Sequence, residues 1–192
     1  LRLNNIQDTI DVASAFSIQP LPKGKNIGIV TASGGACSIV ADLCNRYGLR
    51  VPNLKGSEKI KEHIPSFGSA QNPIDVTAEV MAKPEMFKEV LKITLEDENV
   101  DAVAIMFTTN ADPGAFILGG EILDIFKDSK KPIVVGRLGS STIAPKAVEM
   151  YKKSQFPIYD TPEKLVRVLH YLVQYGEMIK NLEAERELLL KN

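Results

Sequence analysis

The chain contains no tryptophan, only two cysteines and two histidines in 192 residues, and aromatic residues make up 6% of it. Each scarcity narrows the chemistry. Cys37 and Cys44 lie seven positions apart in one helical segment, two turns along one face, which is too far for a disulfide within a regular helix, so they read as reduced core residues. Cys37 is near the helix start, where the dipole can lower a thiol pKa, but no histidine shares the segment to activate it as a nucleophile. His63 and His170 fall inside helical patterns, and no Cys/His cluster has metal-ligand spacing. The G-x-S-x-G elbow, the G-x-G-x-x-G fingerprint and the P-loop are all missing. The net charge of −1, without a basic stripe, implies neither nucleic acid nor an anionic membrane surface as a partner. No apolar run approaches the roughly 20 residues of a membrane span, and no signal-peptide pattern follows Leu1, so a cytoplasmic protein is expected. The non-Met start reads as a piece of a longer chain.

What is present is ordinary globular composition, 44% hydrophobic and 24% charged, with an alternating pattern. Residues 5–17 place Ile6, Ile10, Ala13 and Phe16 at helical spacing and predict an amphipathic helix packed through that face. Short β-branched runs follow at 27–30, 50–54 (the weakest), 73–76, 102–107, 132–137 and 156–159, separated by helical patterns. This alternation predicts an α/β fold with a mainly parallel five- or six-stranded sheet covered on both faces. Ser57 reads as the cap of a helix through His63, and Pro84 as the first residue of another. Asp112-Pro113 reads as cap and first turn of a third, and Thr161-Pro162-Glu163 repeats that grammar before the last. In the last helix Leu165, Val168, Leu169, Leu172 and Val173 share one face, and the sequence turns strongly charged after Ile179. The expected division is a connector helix at 1–22, one domain at 23–176, and a charged helical tail or connector at 177–192.

Function is sought at the carboxyl ends of the strands, where open α/β sheets bind ligands. Residues 27–47 run from an apolar strand through Thr31, Ser33, Gly34 and Gly35 into a helix. Glycines there permit a tight turn and close approach by a ligand, while the helix start offers unpaired N–H groups to an anion. The alternative is that the glycines serve the turn alone. Three more loops converge on the same end: 72–80, with Asn72, Asp75 and Thr77; 108–114, with Thr108, Thr109 and Asn110; and 136–141. They are rich in hydroxyl, amide and glycine and poor in groups for proton or metal chemistry, which suits a phosphate or nucleotide. Asp75 either orients a ligand or caps its loop. Arg137 ends an apolar strand, and either reaches the crevice to bind a phosphate or a partner's carboxylate, or forms a structural ion pair.

The runs GKNIGIVTASGGACSIVADLCNRYGLRVPNL, IPSFGSAQNPIDVTAEV, DENVDAVAIMFTTN, KKPIVVGRLG and FPIYDTPEKLVRVLHYLVQY, in that order, resemble one domain of the NDP-forming acyl-CoA synthetases, relatives of succinyl-CoA synthetase. The resemblance covers about residues 20–176. It implies a flavodoxin-like three-layer sandwich flanked by terminal helices. Enzymes of this family join an acid to coenzyme A with ATP or GTP, by way of an acyl phosphate and a phosphohistidine that carries phosphate between distant sites. Their chains combine a CoA-binding domain, two flavodoxin-like ligase domains and an ATP-grasp pair. The first ligase domain carries its histidine in a Gly-His motif. This chain has no Gly-His dipeptide, and its SGG and NPID elements resemble the second ligase domain, so the phosphorylated histidine is expected on a partner.

Carried onto this sequence, the resemblance puts Thr108, Thr109 and Asn110 at the phosphate, with 31–35 and Asn72 to Thr77 lining the adjoining crevice. The family's β subunits have glycines where Thr108 and Thr109 stand. It implies no tightly bound cofactor for this domain, with coenzyme A, ATP and Mg belonging to the whole enzyme. The partners it implies are the CoA-binding and phosphohistidine ligase domains and an ATP-grasp domain or subunit. The isolated domain is then expected to be inactive. The alternative expectation is a stand-alone flavodoxin-like module binding a nucleotide, flavin or other phosphorylated ligand in the same crevice.

Overall fold

Five of the six apolar runs pair into one sheet in a computed structural model that describes residues 1–190: β1 Ile27–Thr31, β2 Ile74–Asp75, β3 Ala102–Thr108, β4 Ile133–Leu138 and β5 Ile158–Tyr159. All four pairings are parallel and the order is β2-β1-β3-β4-β5. This is the flavodoxin order, in which the direction of winding reverses between β1 and β3. The run at 50–54 contributes only an isolated bridge, Asn26↔Arg50. Pro52 has no N–H to extend a ladder there, so the sheet has five strands.

Among the described residues seven α-helices accompany the sheet: α1 Ile6–Phe16, α2 Gly34–Arg46, α3 Ser57–His63, α4 Pro84–Glu96, α5 Gly114–Asp128, α6 Pro145–Lys153 and α7 Pro162–Leu190. Strand side chains alternate between the two faces. Ala102, Ala104 and Met106 of β3 join Ile27, Ile29 and Val134 in a core closed by α1, α2 and α7. Val103, Ile105 and Phe107 join Val30, Ile74, Ile133 and Val135 in the opposite core, under α3, α4, α5 and α6. The three layers follow from strands that are apolar on both sides.

The predicted face of α1 is overturned except at Phe16, which packs against the core. Ile6 and Ile10 are 81% and 55% exposed, whereas Asp8, Val12 and Ala15 face inward. The cause is a buried charge. Asp8 accepts from Arg167 Nε of α7 at 2.9 Å, and the backbone carbonyl of neighbouring Asp11 accepts from Tyr159 Oη at 2.9 Å. A carboxylate drawn into the interior needs a partner, and holding that partner sets the rotation of the helix.

Two cap assignments also change. Ser57 lies inside α3, after Gly56, and its hydroxyl donates to the Leu54 carbonyl at 2.9 Å. Asp112 does not cap α5. Its Oδ2 accepts from Lys146 N at 2.7 Å, in the first turn of α6, while α5 starts at Gly114. Pro84 opens α4 as expected, and Thr161 Oγ1 accepts from Lys164 N at 3.2 Å at the start of α7. The apolar face predicted for α7 is buried, and the helix continues without a break through the charged region, with residues 181–190 exposed. The last two positions of the expected tail, 191 and 192, lie outside the described residues. No helix among the described residues is long and apolar enough to cross a membrane.

Candidate functional site

The turn after β1 is built by its own side chains. Thr31 is fully buried; its Oγ1 accepts from Ser33 N at 2.9 Å and donates to the Ser33 carbonyl at 2.8 Å, closing a hydroxyl-mediated turn. Thr31 therefore shapes the loop from beneath. Ser33 takes the N-cap position of α2 in extended backbone, but its hydroxyl makes no cap bond. Gly34 and Gly35 follow as exposed first-turn residues. A Cβ on Gly34 would stand 3.3 Å from Asp75 Oδ2, which puts that carboxylate beside the first turn of α2, the positive end of its dipole.

Asp75 ends β2 opposite Thr31, and its Oδ1 accepts from Thr77 N at 2.9 Å. Thr77 has φ of 63°, a left-handed conformation in which the chain reverses into a 3-10 turn, Ala78–Met81. Its Oγ1 accepts from Glu79 N at 3.3 Å. That turn brings Met81 against Gly114, at the start of α5.

At the end of β3, Thr108 is paired with Leu138, and Thr109 donates its N–H to the Leu138 carbonyl at 3.1 Å. Thr109 is exposed with φ of 45°. Asn110 turns inward, 8% exposed, with Nδ2 lacking a hydrogen-bond partner among the described residues. Its carbonyl accepts from Arg137 Nη2 at 2.9 Å. Arg137 is 8% exposed, and its Nη1 reaches the Gly139 and Ser140 carbonyls, both at 3.3 Å. It has no ion pair among the described residues, and it ties the loop after β3 to the loop after β4. The sequence signal was there, since a charged residue at the end of an apolar strand has to be paid in hydrogen bonds, but only the fold supplies the acceptors.

Asn72 is set apart from these groups. Its Nδ2 donates to the carbonyls of Ile27 at 2.8 Å and Pro52 at 3.0 Å, and its Oδ1 accepts from Ile29 N at 2.9 Å. The amide thus serves the amino half of β1, away from the carboxyl end where Thr31, Asp75 and Thr108 emerge. The crevice at the β1/β3 reversal is left with the Ser33-Gly34-Gly35 turn, Asp75, Thr77, Thr108 and Thr109. This set presents hydroxyls, helix N–H groups and one carboxylate. No group of three or more His, Cys, Asp or Glu among the described residues is placed to hold a metal ion. Such a set can donate hydrogen bonds to a ligand and orient it.

Cys37, the thiol near this turn, is 3.4 Å from Thr31 Oγ1 and buried. Burial raises its pKa; the side-chain hydrogen bond it shares with Thr31 works against that, and the Asp75 charge adds to the rise. Desolvation therefore outweighs the helix-dipole lowering expected of its position. Burial pushes Cys44 up to about 12. Both thiols should resist an aromatic disulfide reagent at pH 8 in the folded protein and react only on unfolding; fast labelling of Cys37 in the native state would contradict this.

Residues 27–182 match the Ligase-CoA domain family. The chain is 29% identical over 181 residues to the alpha subunit of acetate–CoA ligase [ADP-forming] II of Pyrococcus furiosus, covering 92% of this chain and 39% of that one. It is 27% identical over 182 residues to the 4-hydroxybutyrate–CoA ligase [ADP-forming] of Nitrosopumilus maritimus, covering 94% and 26%. Among solved structures, one of a Pyrococcus horikoshii OT3 protein superposes with a TM-score of 0.81 at 28% identity, over 91% of this chain and 41% of that one. The apo form of dinucleotide-forming acetyl-coenzyme A synthetase 1 from Ca. Korarchaeum cryptofilum gives 0.80 at 27% identity, over 95% and 41%. The chain thus spans about two fifths or less of the length of these relatives. With the family matched across most of its length and the same fold in the solved relatives, this chain belongs to the Ligase-CoA domain family.

Proposed function

We propose that this chain is the second flavodoxin-like ligase domain of an ADP-forming acyl-CoA synthetase, which converts a carboxylic acid, coenzyme A and ATP to acyl-CoA, ADP and phosphate. Its part is to help bind the phosphate of a phosphohistidine carried by a partner domain, and alone it is inactive. The observation that carries this reading is the crevice at the β1/β3 reversal, which gathers hydroxyls and helix starts without a proton-transfer pair. Such a surface stabilises charge with preorganised donors and does no acid–base work of its own. The names of the relatives support it: acetate and 4-hydroxybutyrate ligases of the ADP-forming type, and a synthetase from Ca. Korarchaeum cryptofilum solved with phosphate and ADP, at a TM-score of 0.79 and 26% identity.

Within this reading Thr108, Thr109 and the start of α5 face the phosphate. Ser33, Gly34, Gly35, Asp75 and Thr77 line the adjoining side, with Thr31 setting the turn from below. Asn72 acts through the backbone it holds, and Asn110 through the loop its backbone carbonyl ties to Arg137. The body at 23–176 is the ligase domain, and the segments at 1–22 and 177–192 are its connectors. Coenzyme A, ATP and Mg²⁺ are bound by the CoA-binding and ATP-grasp parts of a cytoplasmic enzyme, and the acid is selected there too.

The test is reconstitution. The chain is incubated with acetate, coenzyme A and ATP, alone and together with a CoA-binding/phosphohistidine-ligase piece and an ATP-grasp piece from one of the relatives. Acyl-CoA is expected only from the complete mixture, with label from [γ-³²P]ATP on the partner's histidine. Turnover by the chain alone, or a partner mixture that works equally well without it, would refute the proposal.

A further inference from the structure

A trans peptide carries its C=O and N–H on opposite sides of one plane, so whatever fixes the oxygen also aims the hydrogen. At the end of β3 the oxygen is fixed by a buried cation: Arg137 Nη2 donates to the Asn110 carbonyl at 2.9 Å, and the Asn110–Ala111 peptide is trans. The Ala111 N–H therefore points away from the guanidinium. Ala111 is exposed, and its N–H donates to no group among the described residues. Its own carbonyl accepts from Ala115 N of α5 at 2.9 Å, so both peptides of this residue are held. One free, outward N–H thus stands between Thr109 and the start of α5.

Arginine is suited to aim it. The same fork reaches the loop after β4, with Nη1 at 3.3 Å from both the Gly139 and Ser140 carbonyls and Nη2 at 3.4 Å from the latter. A planar fork of fixed geometry spans two loops at once, which a lysine ammonium does not. Asp112, the acid of the loop after β3, is committed to the neighbourhood of α6: its N–H donates to the Ile143 carbonyl at 3.2 Å and its Oδ2 accepts from Lys146 N at 2.7 Å. Its Oδ1 is buried without a hydrogen-bond partner among the described residues, so it takes up neither Arg137 nor the Ala111 N–H. Asn110 Nδ2 and Arg137 Nε are buried without partners as well, and the cavity of about 10 Å³ that these two residues line admits one water at most. The hydrogen bonds of the guanidinium go to loop carbonyls alone.

We propose, on the reading of the crevice as the phosphohistidine site, that the Ala111 N–H donates a hydrogen bond to the transferred phosphoryl group and that Arg137 is the positioning residue that aims it. A backbone donor fixed in advance needs no reorganisation as charge arrives, and a cation bonded to the carbonyl of the same peptide strengthens its N–H as a donor.

The experiment uses the reconstituted enzyme at saturating partner pieces, with labelling of the partner's histidine as the readout. Nonsense suppression with lactic acid at position 111 replaces the Asn110–Ala111 amide by an ester, which deletes the N–H. Transfer should slow by about 100-fold, while KM for acetate, coenzyme A and ATP stays at the native value. Arg137→Lys should show a comparable loss in kcat. Because Arg137 acts through this one N–H, the ester placed in the Arg137→Lys background should be no slower than the slower single variant. An ester variant that labels the histidine at the native rate overturns the proposal, and so do losses that multiply to about 10,000-fold in the double variant, since Arg137 would then act elsewhere. A mixture that transfers phosphate equally well without this chain refutes the reading of the crevice itself.

Discussion

Thr109→Asp is expected to slow phosphoryl transfer in the assembled enzyme by about 100-fold while leaving the fold as stable as before. The two effects separate because of where Thr109 stands. It is exposed at the end of β3, with φ of 45° and its N–H donated to the Leu138 carbonyl. A β-branched side chain is strained in that left-handed region, whereas aspartate tolerates it, so the substitution relieves backbone strain. The new carboxylate, however, faces the space proposed for the phosphate, and like charge at close range works against binding there. Thr109→Gly is the matching control: it removes the strain without adding charge and should retain transfer. Measured on the reconstituted enzyme by rapid-quench labelling of the partner's histidine, equal transfer by the aspartate variant and the native protein would remove this loop from the phosphate site.

Asn72→Leu is expected to cost about 3 kcal/mol of folding stability, a large share of the roughly 5–15 kcal/mol that holds a domain together. Leucine matches the shape but abandons the Ile29 N–H and the Ile27 and Pro52 carbonyls, which the amide now satisfies. Ile27 and Ile29 are fully buried strand residues, so water cannot take the place of the lost partner without opening the edge of β1. Urea unfolding followed by far-ultraviolet circular dichroism reads the loss as a lower midpoint at unchanged slope. A variant as stable as the native protein but defective in phosphoryl transfer would show instead that Asn72 serves the ligand.

Much of this architecture was readable from local pattern. Strands β1, β3 and β4 declare themselves by β-branched runs buried on both sides, and Pro84 and the Thr161-Pro162 pair mark where α4 and α7 begin. The glycine turn after β1 needs only its own residues to form, since Thr31 and Ser33 bond to each other across two positions. The rest depended on partners distant in the chain. Gln19 is an example: its amide pairs both ways with Ile133, 114 positions away, accepting from its N–H at 2.9 Å and donating to its carbonyl at 2.7 Å, and nothing around Gln19 announces it.

The sequence by itself determined the alternation of strand and helix, the family resemblance and the polar loops at one end of the sheet, because periodicity and turn chemistry act over a few residues. The tertiary structure decided which face of α1 is buried, through Asp8 and Arg167, and which helix Asp112 caps. It also decided that Asn72 serves a strand and that Arg137 is tied to carbonyls beside a buried cavity. A polar side chain taken from water must find its partner wherever the fold provides one, and sequence distance places no limit on where that is.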